Sequence, residues 1–195
     1  MQSISKEDVC QRVDMKDLSL HLLDVAQNSL RAGAKHLRIA LDEREGHIRM
    51  TVEDDGEGMP QSILAHATEP FFSTKETEGA GLGLYLLLRT AERTGGSLHL
   101  ASRDRERYPT SHGTTLTAEL ISTHIDCPPM GDTVATLLAL LQGSPEVELH
   151  FSHVFATRTV TLDTRELRAI LGTGVPLSTP EVLRWIGEYL MEQYQ

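Results

Sequence analysis

The segment from residue 17 to residue 33 carries a helical pattern. Apolar residues recur every three or four positions between residues 18 and 30, which is the spacing of one helix face. Asp17 stands just before this run and can cap a helix by accepting a backbone N–H of its first turn. Gly33 stands just after it, where a C-cap glycine is expected. The pattern predicts a helix that carries His21, Asp24, Asn28 and Arg31 on its polar face, and His21 and Arg31 are expected to be solvated.

Alternating apolar and polar residues predict two pairs of strands. Residues 37–42 and 48–53 alternate on either side of a Glu-Arg-Glu-Gly turn, which is typical of a β-hairpin. Residues 97–102 and 114–121 show the same alternation and are joined by a polar loop. These four segments predict a sheet that follows the first helix.

The pattern changes near Cys127, and residues 130–195 are predicted to form a small α+β module. Two prolines interrupt regular structure there, because proline biases the preceding residue toward extended backbone. Beyond them the sequence predicts a helix, a hairpin, a helix that begins at Asp163 and a last helix that begins at Pro180. The module contains no chemical motif, so we expect it to bind a partner or to regulate the preceding domain.

The polar face of the first helix offers candidate ligands for a metal ion. Asp24 and Asn28 are four residues apart, so their side chains are neighbours on the helix. An amide oxygen such as that of Asn28 suits Mg²⁺, which also takes water and phosphate oxygens. A carboxylate one turn earlier, Asp24, can orient or deprotonate an attacking water.

The sequence Asp-Asp-Gly-Glu-Gly follows the second predicted strand. Asp54 stands at the end of that strand, and its carboxylate can accept a hydrogen bond from the amino group of adenine. Gly56 and Gly58 lack a Cβ atom, so the backbone can turn sharply and a flat base can approach. A calcium loop is the alternative, but it requires ligands at alternate positions, and Gly56 occupies one of them.

A third glycine-rich segment, Gly-Ala-Gly-Leu-Gly-Leu, opens a predicted helix. The start of a helix favours phosphate, and the glycines let the backbone approach it. This assigns phosphate contacts to Gly79, Gly81, Leu82 and Gly83. Lys75 precedes them in a predicted short lid and can pair with a terminal phosphate. The sequence contains no GxxxxGK[ST] loop and no GxGxxG directly after a first strand, which argues against the two commonest nucleotide folds.

The three motifs, in this order, resemble the GHKL ATPase family of histidine kinases, heat-shock chaperones, type II topoisomerases and MutL. The resemblance extends from about residue 17 to about residue 120. It is strongest to small stand-alone proteins that carry a histidine-kinase-type ATP-binding domain. It implies a Bergerat-type fold, an α/β two-layer sandwich with a mixed sheet and helices on one face, and ATP and Mg²⁺ as ligands. It places this ATP-binding domain at residues 15–123.

The resemblance also implies roles for single residues. Asn28 matches the Mg²⁺ ligand of the family, and Asp54 matches its adenine-binding aspartate. Asp24 occupies the position of the catalytic base, which is usually Glu, so the base here is one methylene shorter. Thr114, in a Gly-Thr pair, matches the last nucleotide-contacting turn.

The expected function is transfer of the γ-phosphoryl group to a protein partner or phosphoacceptor that the sequence does not identify. A sensor kinase places its phosphoacceptor His on a helical hairpin before the ATP-binding domain, and only about 16 residues precede the domain here. We therefore expect phosphorylation in trans. A serine kinase of the anti-sigma type and a nucleotide-driven switch without kinase activity are the alternatives. A homodimer is compatible with each.

Composition narrows the partners further. The formal net charge of −10 disfavours nucleic acid and anionic membrane as partners. The two cysteines indicate neither a disulfide framework nor a metal site, and His150 and His153 are predicted to point to opposite faces of a strand. No run of 18 apolar residues and no signal peptide is present, which predicts a cytoplasmic protein. Residues 1–14 are polar and are expected to form a flexible extension.

Overall fold

The computed structural model describes residues 15–72, 81–172 and 174–195. They form one six-stranded sheet in the order β3-β4-β2-β1-β5-β6. The strands are β1 (His36–Arg44), β2 (His47–Asp54), β3 (Ser97–Arg103), β4 (Gly113–Ile121), β5 (Glu148–Phe155) and β6 (Thr159–Asp163). The helices are α1 (Leu18–Arg31), α2 (Gln61–Leu64), α3 (Gly83–Arg93), α4 (Thr133–Gly143), α5 (Thr164–Leu171) and α6 (Pro180–Tyr194).

Helix α1 begins and ends where its sequence predicts. The Asp17 carboxylate accepts a hydrogen bond from the backbone N–H of Leu20 at 3.0 Å, so it caps the first turn. The helix ends at Arg31 with Ala32 as its C-cap, and Gly33 follows with a φ of +78°, a left-handed conformation that glycine adopts without steric cost. These two ends fix the position of the polar face between them.

The sheet buries one face and leaves the other to solvent. Alternate residues of the strands are buried, as in the sequence Leu37, Ile39 and Leu41 of β1. They share one hydrophobic core with residues of α1, α3, α4 and α6. This one-sided packing confirms the predicted fold, a two-layer α/β sandwich with a mixed sheet.

Residues 130–195 continue this sheet. β5 pairs in parallel with β1, which brings Ile39 opposite Phe151, and β6 returns beside β5 as the second strand of a hairpin. The sheet therefore extends across the predicted boundary between an ATP-binding domain and a C-terminal module, and that division into domains stays a prediction. Beside it, α4 packs on α1 and α6 packs on α4.

The connection into α4 also holds the start of α1. The carbonyl oxygens of Pro129 and Met130 accept hydrogen bonds from the backbone N–H groups of Leu18 and Ser19, at 3.0 and 2.8 Å. These N–H groups lie in the first turn of α1, where a helix has no internal acceptors for them. The C-terminal part of the chain is thus bound to the same helix that carries Asp24 and Asn28.

Candidate functional site

Asp54 lies at the end of β2, and three donors hold its carboxylate. Oδ1 accepts hydrogen bonds from the backbone N–H groups of Gly56 at 2.9 Å and Thr114 at 3.2 Å. Oδ2 accepts the hydroxyl of Ser29, on α1, at 2.6 Å. A carboxylate oxygen can accept two hydrogen bonds, so Oδ2 keeps one lone pair for a further donor. The Asp54 carboxylate is therefore held in one orientation, as a hydrogen-bond acceptor at the end of β2.

Asp55 follows Asp54 but is bound on the other side of the turn. It accepts the backbone N–H groups of Lys35 and His36 at 2.7 and 2.8 Å, and its second oxygen lies 2.6 Å from His36 Nδ1. Partial burial raises the pKa of Asp55, but the hydrogen bonds from His36 outweigh it and the pKa lies below its usual value. Asp55 therefore fixes the entry into β1, whereas Asp54 contacts α1 and β4.

Gly58 turns the chain sharply after these two aspartates. Its φ is +67°, and a Cβ atom there would overlap the carbonyl oxygen of Arg103. The backbone of residue 58 consequently packs directly against the end of β3, an approach that no other residue type allows. This contact fixes the chain that follows β2 against the end of β3.

Asp24 and Asn28 lie together on α1 beside the start of α3. Asn28 is exposed, and its Nδ2 lies 3.4 Å from Asp24 Oδ2. A Cβ atom at Gly83, the first residue of α3, would overlap the Asp24 carboxylate, so the glycine makes room for it. Burial raises the pKa of Asp24, and Arg31 and Asn28 offset part of this effect. A raised pKa suits a group that must accept a proton.

The start of α3 has the properties of an anion site. Leu82 is its N-cap residue, is buried and makes no side-chain capping hydrogen bond. The first N–H groups of a helix have no internal acceptor and carry partial positive charge. Gly81 precedes this turn, and its carbonyl oxygen accepts the N–H of Phe71 at 3.0 Å. Lys75 and Gly79 lie outside the described residues, so their assignment stays a prediction.

Three polar residues that are not among the predicted site residues hold the segments around Asp54 together. Ser29 bonds to Asp54, as described above. Ser102 Oγ lies 2.9 Å from Thr114 Oγ1 and accepts the N–H of Met59 at 2.8 Å. His112 Nδ1 lies 2.6 Å from the carbonyl oxygen of Gly56. Of these three residues, only Ser102 could have been found from the sequence. The predicted strands 97–102 and 114–121 pair so that Ser102 lies opposite Thr114.

His21 departs from its expected environment. The sequence pattern places His21 on the polar face of α1, where a solvated position is expected, but only 1% of its surface is exposed. Its Nε2 lies 3.3 Å from Thr90 Oγ1 on α3. The expectation of a solvated residue is wrong, because α3 covers this part of the helix.

The residues present fit a purine nucleotide with a metal ion. Asp54 supplies a fixed acceptor for an exocyclic amino group, the start of α3 can bind phosphate, and the Asn28 amide oxygen is a hard ligand of the kind Mg²⁺ prefers. The predicted site residues Asp24, Asn28, Asp54, Gly58 and Gly83 all line this end of the fold. Their individual roles in binding stay predictions.

Comparison with known proteins relates this arrangement to nucleotide-binding domains. The family model described as "Histidine kinase-, DNA gyrase B-, and HSP90-like ATPase" matches residues 13–124. Sporulation kinase A of Bacillus subtilis (strain 168) is 35% identical over 88 residues, a match that covers 45% of this chain and 14% of that protein. The signal transduction histidine-protein kinase AfsQ2 of Streptomyces coelicolor is 31% identical over 91 residues, 45% of this chain and 17% of that protein.

Two solved structures have the same fold. The N-terminal domain of a DNA repair protein matches with a TM-score of 0.54 and 14% identity, over 82% of this chain and 58% of that chain. The Aquifex aeolicus MutL ATPase domain complexed with ADP matches with a TM-score of 0.50 and 13% identity, over 70% of this chain and 60% of that one. In the part of the chain that the structure describes, no helix is both long and apolar enough to cross a membrane.

Proposed function

The chain belongs to the family of histidine kinase-, DNA gyrase B- and HSP90-like ATPases, and from this premise we propose that it binds Mg-ATP and transfers the γ-phosphoryl group to a partner protein. Its curated relatives are histidine kinases, of which it spans less than a quarter of the length. The kinase activity, the partner and the action in trans are therefore parts of the proposal.

The orientation of the Asp54 carboxylate carries this proposal. Three hydrogen bonds from Ser29, Gly56 and Thr114 hold it before any ligand arrives, so no rearrangement is needed when a base binds. The free acceptor position matches the amino group of adenine. Guanine has a carbonyl oxygen at the equivalent place, which would put two acceptors against each other.

Asp24 and Asn28 are proposed to serve the phosphate end. Asn28 would hold Mg²⁺ through its amide oxygen, and the metal would neutralise charge that develops on the transferred group. Asp24 lies one turn away on the same helix and would orient the acceptor hydroxyl, the imidazole or a water molecule. Its shorter side chain leaves it further from the acceptor than the usual Glu, so we expect slow hydrolysis by the protein alone.

A nucleotide-driven switch is the second candidate, and one observation favours it. α4 packs on α1, and the backbone of residues 129–130 caps the first turn of α1. A change in the position of α1 on binding ATP would therefore reach the C-terminal helices directly. In this case ATP would alter how the protein binds its partner without phosphorylating it. A serine kinase of the anti-sigma type would use the same site for phosphoryl transfer.

Labelling with ATP that carries radioactive γ-phosphate separates these functions. Purified protein is incubated with Mg-ATP and a cell lysate, and labelled proteins are resolved after treatment with acid and with alkali. A label lost in acid and kept in alkali supports histidine phosphorylation, and the reverse supports serine. The Asn28→Ala variant is the control for contaminating kinases. Binding of Mg-ATP without labelling above this control would contradict the kinase proposal and favour the switch.

A further inference from the structure

A second cleft lies at the opposite end of the fold from Asp54. It has a volume of about 580 Å³, within the usual range of small-molecule sites. It is formed where β1 and β5 end and where α4 begins, and α6 covers one side. Except for Glu43, its residues lie beyond the segment that the ATPase family model matches. Apolar and charged side chains from β1, β5, α4, α6 and the connections beside them form its walls.

His153 is the unusual residue of this cleft. It lies on the inward face of β5, and 1% of its surface is exposed. Its Nδ1 is 2.9 Å from the hydroxyl of Tyr194. Its Nε2 has no hydrogen-bond partner among the described residues, although Glu43 Oε2 lies 3.5 Å away. A buried imidazole with one engaged and one unengaged nitrogen is costly unless something else satisfies the second nitrogen.

The protonation of this group follows from its surroundings. Burial lowers the pKa of His153 to about 4, with a contribution from Arg158, so the ring is neutral near pH 7. Burial raises the pKa of Tyr194 to about 12, so its hydroxyl keeps its proton. Because Glu43 can only accept, the imidazole proton belongs on Nε2, and Nδ1 accepts the Tyr194 hydroxyl. The Glu43 carboxylate shields Nε2 from solvent, and displacement of this side chain, of which 36% is exposed, would present a donor and an acceptor side by side.

The walls around this pair are largely apolar. Met130, Val134, Phe155 and Met191 supply thioether, aliphatic and aromatic surface. The charged residues of the lining are Glu43, Asp132 and Arg158, and the Arg158 guanidinium lies over the Phe155 ring at 5.1 Å. With two carboxylates and one already engaged cation, the lining disfavours an anionic ligand.

We propose that this cleft binds a small neutral ligand with a planar apolar body and an amide edge. The Glu43 side chain turns outward, the ligand carbonyl accepts from His153 Nε2 in its place, and the adjacent ligand N–H donates to the displaced carboxylate. The body of the ligand lies against the methionines and Phe155. Such a site is separate from the nucleotide pocket and does not depend on the function proposed for it.

Benzamide is a suitable probe, because it combines a planar apolar ring with one amide edge. The full chain is labelled with ¹³C at the methionine methyl groups and titrated with benzamide at millimolar concentrations. The signals of Met130 and Met191 should shift and saturate together, whereas Met50 in the sheet core and Met59 at the nucleotide end should not move. Shifts confined to Met59, or none at all, would overturn the proposal.

Benzoate tests the amide edge itself. It has the same size and shape but is anionic, so it should bind at least about fivefold more weakly than benzamide, because its charge faces Glu43. Glu43→Gln should bring the two affinities close together, and Glu53→Gln, on the same sheet but outside the cleft, should leave the difference intact. Equal affinities in the wild-type protein, or an undiminished difference in Glu43→Gln, would contradict the role given to Glu43.

Discussion

Helix α1 joins two regions with opposite properties. At its C-terminal end, Ser29 helps to hold a carboxylate whose hydrogen bonds are nearly complete. At its N-terminal end, about 15 Å away along the helix, backbone carbonyl groups from the following segment cap the first turn and border a cleft with an unsatisfied imidazole nitrogen. One region is preorganised by its own contacts, and in the other His153 Nε2 has no hydrogen-bond partner within residues 15–72, 81–172 and 174–195.

The two regions also differ in how their residues are distributed along the sequence. The nucleotide end is built from short segments that are separate along the chain, and within each segment the glycines and polar residues lie close together in sequence. The cleft is built from four separate segments, and no two of its polar residues form a motif. A region of the first kind is visible in a sequence, and a region of the second kind is found only in the folded chain. If the two regions act independently, a substitution in one region should leave binding at the other unchanged.

The largest effect is expected on the rate of ATP hydrolysis when Asp24 is substituted. Asp24→Asn should lower ATP hydrolysis by about 100-fold, to the background rate, because a positioned general base contributes on this scale. The affinity for ATP should stay within about twofold, since the amide keeps the size of the carboxylate. Asp24→Glu should raise turnover by restoring the reach of the usual base. Phosphate release and calorimetry measure the two quantities.

The same variants test the independence of the cleft. The methionine signals of Met130 and Met191 should be unchanged in Asp24→Asn, because Asp24 does not line the cleft. Strong hydrolysis that survives in Asp24→Asn would show that this residue is not the base.

Asp54 should produce the next largest effect. Asp54→Ala should weaken ATP binding by roughly 10- to 100-fold, as expected when a hydrogen bond to a charged group is lost. Wild-type protein should also bind ATP far better than GTP, and Asp54→Ala should reduce this preference. Calorimetry with both nucleotides measures it, and Asp126→Ala, an exposed loop aspartate, is the control. Equal affinities of the wild-type protein for ATP and GTP would refute the contact with adenine.

Asn28 should show a smaller effect that depends on the metal. Asn28→Ala should weaken binding of Mg-ATP by about tenfold through loss of one ligand contact. In the presence of EDTA, Asn28→Ala should change the affinity for ATP little, because Asn28 is proposed to contact ATP through the metal. Gln27→Ala is the matched control, since Gln27 is the exposed neighbour and bonds to Arg31 only through its backbone oxygen. An unchanged affinity for Mg-ATP in calorimetry would remove Asn28 from the site.

Substitution of His153 in the cleft should have the smallest effect. This effect should be on stability rather than on nucleotide binding. The pKa of His153 is lowered from 6.5 to about 4, so between these values the unfolded chain binds a proton that the folded protein does not. The contribution of His153 to stability is complete above about pH 6.5 and is lost as the pH falls through this window. His153→Gln removes this titration, so its melting temperature should fall less than that of the wild type between about pH 7 and pH 5.

Thermal unfolding followed by circular dichroism measures this difference. Glu43 and Tyr194, which contact the imidazole, and Asp42 and Arg158, whose charges influence its pKa, remain in both proteins, so the comparison isolates the substitution of His153. Affinity for Mg-ATP should be equal in the two proteins at pH 7. Parallel melting profiles would show that the folded protein binds a proton at His153 as readily as the unfolded chain does.

Local signals in the sequence determine much of the fold. Asp17 and Gly33 bound α1 as predicted, and the turn at Glu45 and Gly46 joins the first hairpin with positive φ values of 54° and 76°. Capping, turn formation and alternation depend on residues close in sequence, so they are visible without a structure. The order of the three motifs indicated the family for the same reason, and the match over residues 13–124 confirms it.

Tertiary structure alone decided which residues complete each region. Ser29 falls on the apolar stripe of α1 in the sequence, yet its hydroxyl bonds to Asp54, which is 25 residues away. His21 was expected in solvent, and α3 buries it. The parallel pairing of β1 with β5 places Leu41 beside His153 and so creates the cleft. Periodicity records which face of an element is apolar, but not which element will cover it or what its polar atoms will meet.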